Sequence, residues 1–126
     1  MQLLGSRSSE DGETSGLGFI EADVDLLVCS EEDIHLKVPH VGFNTVHIDV
    51  RSKLFNGFGE SADFYFTQSY RMSCKNSLQA VGITSHGEKF VSAVEHMNIL
   101  GTQFHPEKSQ RSGLKILSNF IGLEPC

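Results

Sequence analysis

The chain has 126 residues, 39% of them hydrophobic, which suits one small domain with a core of its own. Its 10 Lys and Arg are scattered and stand against 16 Asp and Glu, for a net charge of −6, which argues against a nucleic-acid or anionic-membrane surface. No apolar run reaches the roughly 18 residues of a membrane helix, and no charged-then-apolar start resembles a signal peptide, so a soluble, cytoplasmic protein is expected.

"MQLLG" at the start has the apolar character of a helix end without a visible beginning. Ser6 to Gly18 is polar and glycine-rich and reads as a loop. Phe19 to Val28 reads as extended, with Ile20, Ala22, Val24 and Leu26 alternating. Ser30 to Asp33 reads as a turn, and Val38 to Val50 as two short extended pieces around "GFN". Asn56-Gly57 marks a break, and Asp63 to Tyr70 is aromatic and strand-like. Leu78 to Thr84 and Lys89 to Val94 form a predicted hairpin across "SHGE". Asn98 to Phe104 is one more strand. One long helix follows, with Ser109 as N-cap, Leu114, Leu117 and Ile121 at helical spacing, Ile116 and Phe120 beside them, Gly122 as C-cap and Pro125 beyond. Many short strands, one helix and an unprefaced apolar start suit part of a larger α/β unit, with one sheet face lacking its cover.

Cys29, Cys74 and Cys126 show no CxxC spacing, so neither a disulfide framework nor a zinc site is expected. The six histidines show no HExxH pattern. The chemically pointed stretch is "TQFHPEKSQRSGLKIL", Thr102 to Leu117. An extended segment puts residues i and i+2 on one side, and Pro106 stiffens the link between His105 and Glu107. A carboxylate beside an imidazole orients the ring and stabilises the imidazolium, which is the base half of a nucleophilic triad. A His-Pro-Glu tripeptide by itself is most often just a turn.

Context changes that weight. "GTQFHPEKS" followed by "GLKILSNF" strongly resembles the C-terminal signature of class I glutamine amidotransferases. "MQLLGSRSSEDGETSGLGFIEADV", "VPHVGFNTV" and "FYFTQSYR" resemble, in order, segments of the glutaminase subunit of imidazole glycerol phosphate synthase. The resemblance runs from Met1 to about Gly122. It implies an α/β, class I glutamine amidotransferase-like (flavodoxin-like, three-layer) fold, of which residues 1–126 would be the C-terminal, strand-rich portion with a final helix. It also implies a Cys-His-Glu triad that hydrolyses glutamine, with no cofactor. The ammonia would pass to a cyclase (β/α)8-barrel partner in a heterodimer of histidine biosynthesis.

Carried over position by position, His105 matches the general base and Glu107 its orienting carboxylate. Gln2 matches a glutamine beside the nucleophile that helps hold the substrate's side chain, and Glu10 a loop glutamate near the substrate's amino group. Ser69 and Tyr70 match the segment whose backbone receives the substrate's α-carboxylate and amino group. Gln68 stands where the family has a histidine, and Phe43 where it has a tryptophan. The family's nucleophile lies in a G-x-C-x-G elbow three residues before the position of Met1, and none of the three cysteines here has such flanking glycines. The chain is therefore expected to be inactive alone, whether as a fragmentary gene, an internal start or a degenerate copy. Two other readings stay open: a paralogue supplying ammonia for amidation of surface-polysaccharide sugars, and a non-catalytic remnant.

Overall fold

The computed structural model describes residues 1–29 and 35–123. The expected turn at Ser30 to Asp33, together with Pro125 and Cys126, lies outside the described residues. The described strands form one sheet: β1 (Arg7–Ser8), β2 (Thr14–Ser15), β3 (Ala22–Leu26), β4 (His40–Ile48), β5 (Ser61–Gln68), β6 (Tyr70–Cys74), β7 (Ala80–His86), β8 (Glu88–His96) and β9 (Ile99–Thr102). Helix α1 (Gln110–Ile121) follows. The spatial order is β2-β1-β3-β6-β8-β7-β4-β5, with β9 also on β8. β1 runs parallel to β3, and the other pairings are antiparallel. This mixed sheet with a C-terminal helix is the strand-rich arrangement that the resemblance implied. No helix among the described residues is long and apolar enough to cross a membrane.

The differences from the sequence expectation have local causes. The two expected pieces in Val38 to Val50 are one strand, because β4 keeps an unbroken register with β5 from His40 opposite Gln68 to His47 opposite Ser61. Gly42 takes φ +125° inside that strand, a conformation that costs glycine little. The aromatic run divides at Ser69, whose carbonyl accepts from the Leu27 amide at 2.8 Å and so turns the chain from β5 into β6. The loop at Ser6 to Gly18 holds the small β1–β2 pair. The hairpin's strands extend into "SHGE" and reverse at Gly87, which has φ +74°.

Alternation along β5 sends Phe64, Phe66 and Gln68 to the buried side. Phe64 and Phe66 join Val46, Ile48, Leu54, Phe55, Phe90 and Phe104 in a core that takes Ile116 from α1. A second cluster gathers Ile20, Ala22, Val24, Met72, Val91 and Val94, with Met1 and Leu4 packed against it. The helix buries Gly113 and Ile116, whereas Leu114, Phe120 and Ile121 are exposed. The apolar spacing thus located the helix but not the side it turns to the sheet.

His40 is buried within this aromatic core at 4% exposure, stacked on His86 at 4.1 Å and on Phe66 at 4.9 Å between ring centroids. Asn44 fixes its tautomer. The Asn44 Oδ1 accepts from Thr45 N–H and its Nδ2 donates to Ser85 O, so Nδ2 is also the donor toward His40 Nε2, at 3.2 Å. His40 is therefore neutral, with its proton on Nδ1. Burial, and then the neighbouring His86, lowers its pKa from 6.5 to about 4. Below pH 6.5 the unfolded chain takes up a proton that the folded chain refuses until about pH 4. The stability tied to His40 is thus full above pH 6.5 and lost as pH falls toward 4, a change of roughly 3 kcal/mol. Urea midpoints at pH 7 and pH 4.5 are expected to differ less in a His40→Phe chain than in the unaltered one; equal differences would remove His40 from the account.

Candidate active site

The site begins where β9 ends. The Gln103 amide continues the ladder past Thr102 by donating to Ser92 O at 2.9 Å. Phe104 then turns inward, 2% exposed and stacked on Phe64 at 4.0 Å between centroids. Burying that ring contributes roughly 2–3 kcal/mol and pins the backbone beside it. His105, the next residue, is left at the surface in an extended conformation (φ −94°, ψ 101°). Pro106 starts a short 3-10 turn, Pro106–Lys108, so Glu107 lies on a turn rather than on a continued strand. The i, i+2 reach survives that bend. His105 Nδ1 lies 2.8 Å from Glu107 Oε1. An ionised carboxylate can only accept, so Nδ1 carries the proton. Nε2 is left without a protein partner among the described residues. The hydrogen bond from His105 holds the Glu107 carboxyl below the usual carboxylate range. With 38% of the His105 side chain and 61% of the Glu107 side chain exposed, the pair is open to a ligand.

The backbone of His105 is clamped from behind. Its N–H donates to Tyr65 O at 2.9 Å. The Ser109 hydroxyl donates to His105 O at 2.6 Å and accepts from the Tyr65 N–H at 2.9 Å. Ser109 is 1% exposed and makes no side-chain cap to α1, so its role differs from the expected N-cap. Gly122, the expected C-cap, stays right-handed at φ −79°. Gly113 permits the helix to settle on this turn: a Cβ there would lie 1.7 Å from Pro106 O. Serine at a helix start reads as a cap, which is why Ser109 could not be recognised as a strut from the sequence.

Two recesses meet at this point. One, of about 480 Å³, is lined by His105, Glu107, Thr102 and Met1 to Leu3. The other, of about 420 Å³, is lined by Glu10, Pro39, Thr67, Gln68, Ser69 and Tyr70. Gln2 and Gln103 line both. The structure therefore brings Gln2, Glu10, Ser69 and Tyr70 together, next to His105 and Glu107. Gln2 sits on a short 3-10 turn, Gln2–Leu4, and its Nε2 reaches Tyr70 O and Gln103 Oε1, each at 2.8 Å. Tyr70 is held by β3, opposite Leu26. Gln68, 6% exposed, has neither amide atom paired among the described residues, and the same holds for the Nδ1 of His40 opposite it. Gln103 and Gln68 were not among the expected site residues; position beside His105 was the available signal for Gln103.

Neither described cysteine lines the His105 recess. Cys74 lies opposite Ala22 in the β3–β6 ladder, and burial pushes its thiol up to about 11, away from thiolate chemistry. Cys29 lies against Gly87, with His86 O at 4.0 Å. Among the described residues no group of His, Cys, Asp and Glu could hold a metal ion.

The family model for glutamine amidotransferase class-I matches residues 1–123, almost the whole chain. The chain belongs to that family. Among similar amidotransferases, the imidazole glycerol phosphate synthase subunit HisH 1 of Campylobacter jejuni is 45% identical over 123 residues, covering 98% of this chain and 59% of its own length. Subunit HisH of Sulfurimonas denitrificans is 45% identical, covering 95% and 58%, and that of Brucella abortus 39% identical, covering 99% and 58%. The chain thus spans a little under three fifths of the length of these relatives. Among solved structures, a Thermoplasma acidophilum protein provisionally assigned to GMP synthase matches with TM-score 0.61 at 21% identity, covering 81% of this chain and 48% of that one. That similarity supports the amidotransferase fold alone.

Proposed function

We propose that this chain is the distal part of the glutaminase subunit of imidazole glycerol phosphate synthase, a partial class I amidotransferase domain over residues 1–126. In this reading the chain preceding Met1 supplies a cysteine nucleophile facing His105. His105 takes the thiol proton through Nε2, and Glu107 keeps the ring in the Nδ1–H tautomer and stabilises the imidazolium. The thiolate attacks the carboxamide carbon of glutamine. His105 returns the proton to the departing ammonia, leaving a glutamyl thioester. Water, deprotonated by the same imidazole, then releases glutamate and the thiol. Gln2, Glu10, Ser69 and Tyr70 hold the amino-acid end in the second recess. The ammonia serves a cyclase (β/α)8-barrel partner in the cytoplasm. The observation that carries this reading is the 2.8 Å His105–Glu107 pair next to a polar recess, in a chain similar to HisH subunits over nearly its full length.

The purified 126-residue chain is expected to release no glutamine-dependent ammonia, because its described thiols lie away from His105. Activity lost on Cys29→Ala, Cys74→Ala or Cys126→Ala would show that one of them is the nucleophile. The decisive experiment joins the N-terminal portion of the Campylobacter jejuni relative ahead of Met1. Glutaminase activity should appear and rise with the cyclase partner. A well-folded fusion that stays inactive with that partner would overturn the proposed function.

A further inference from the structure

Gln2 spends both of its amide hydrogens within the protein. Its Nε2 lies 2.8 Å from Tyr70 O and 2.8 Å from Gln103 Oε1. A backbone carbonyl can only accept, so the nitrogen of Gln2, not its oxygen, must face Tyr70. That nitrogen then meets Gln103, which must answer with its carbonyl. The polarity of both side chains follows from one main-chain group. What remains to meet a ligand is an acceptor from Gln2, its Oε1, and a donor from Gln103, its Nε2. Neither has a protein partner among the described residues. Both residues line the recess of Tyr70 and the recess of His105, so this pair forms the saddle between them.

We propose that Gln103 is a positioning residue that sets what the site accepts: by holding the Gln2 amide in one orientation, it makes Gln2 a pure acceptor for a ligand's ammonium group. Without Gln103 the Gln2 side chain keeps one bond to Tyr70 and regains rotational freedom, and its carbonyl is no longer held toward the ligand. The Gln103 main chain is fixed independently by its bond to Ser92 O, so the side chain can be changed with little effect on β9. The proposal rests on the reading of this site as an amino-acid pocket and specifies which group of the amino acid is read.

The test uses the full chain and two probes, L-glutamine and glutaramate, which is glutamine without its ammonium group. Gln103→Leu is expected to weaken L-glutamine binding about tenfold and glutaramate binding less than twofold. Gln103→Glu retains the acceptor and is expected to restore discrimination between the two. A merely structural role would weaken both probes equally in Gln103→Leu, and that result overturns the proposal. A second measurement does not depend on binding. In ¹⁵N spectra of the unliganded chain, the Gln2 side-chain protons should exchange with solvent about tenfold more slowly than those of an exposed glutamine amide. They should lose that protection in Gln103→Leu and keep it in Gln103→Glu. Unprotected Gln2 protons in the unaltered chain overturn the proposal even if glutamine binds. Protected protons in a chain that binds neither probe support the orientation by Gln103 and count against the amino-acid pocket instead.

Discussion

His105→Ala in the active fusion is expected to lower kcat about 10³–10⁴-fold, to the level left by substrate positioning alone. The size of the loss follows from the three proton transfers assigned to this ring. In the proposed mechanism one imidazole would remove the thiol proton, protonate the ammonia and activate the water, and among the described residues no titratable side chain besides His105 and Glu107 lines its recess. Glu107→Ala should cost less, about 10²-fold, since the carboxylate orients and stabilises without transferring the proton. Glu107→Gln separates the two contributions. The amide can still accept from Nδ1–H but carries no charge, so it should fall between Glu107 and Ala. The KM for glutamine should move less than twofold in the His105 variant, because the proposed function puts the amino-acid end in the other recess. Single-turnover measurements with saturating glutamine would check each value. A Glu107→Ala loss equal to that of His105→Ala would show that the carboxylate is needed for the proton transfer itself.

Gly113→Ala is expected to destabilise the chain by about 3 kcal/mol and lower its melting temperature by roughly 10 °C. The added methyl would start 1.7 Å from Pro106 O and 2.7 Å from Pro106 C, and both are backbone atoms that cannot swing aside. The helix must lift or the Pro106–Lys108 turn must move, and either change disturbs Ser109 and the carbonyl of His105 that it holds. Gly122→Ala is the internal control: its nearest neighbour would be Ser118 O at an ordinary 3.4 Å, and its φ of −79° suits any residue. Calorimetry on both variants should therefore show a large shift for one and a small shift for the other. In the active fusion Gly113→Ala should also reduce turnover, although Gly113 touches no substrate.

Local order was legible wherever one short-range pattern decides it. The strands at Ala22–Leu26 and Ile99–Thr102 and the helix at Gln110–Ile121 follow from alternation, periodicity and flanking breakers. His105 and Glu107 were legible because their contact spans two residues and a proline. What escaped reading depends on distant partners. β4 continues through Gly42 because β5 lies beside it, which "GFN" alone does not reveal. Ser109 gives its hydroxyl to His105 and Tyr65, a choice set by a strand 44 residues away. The buried face of α1 escaped reading because its point of closest approach is Gly113, which has no side chain for an apolar pattern to register. Gln68 keeps to the apolar side of β5 by parity, where sequence hydropathy would not place an amide.

The bonds from Gln2 have a further consequence for the order in which the molecule assembles. They join residues 68 and 101 positions apart in sequence, whereas the β7–β8 hairpin closes around a single glycine. Loop-closure entropy favours the hairpin as an early event and delays contacts of long sequence separation. The saddle between the two recesses is therefore among the last parts to form, after β6, β8 and β9 are in place. The same contacts are expected to open locally at a free energy below that of global unfolding. Ligand binding should consequently fade on warming before the aromatic core melts, and the gap between the two transitions measures how loosely the Gln2–Leu4 turn is held against Tyr70 and Gln103.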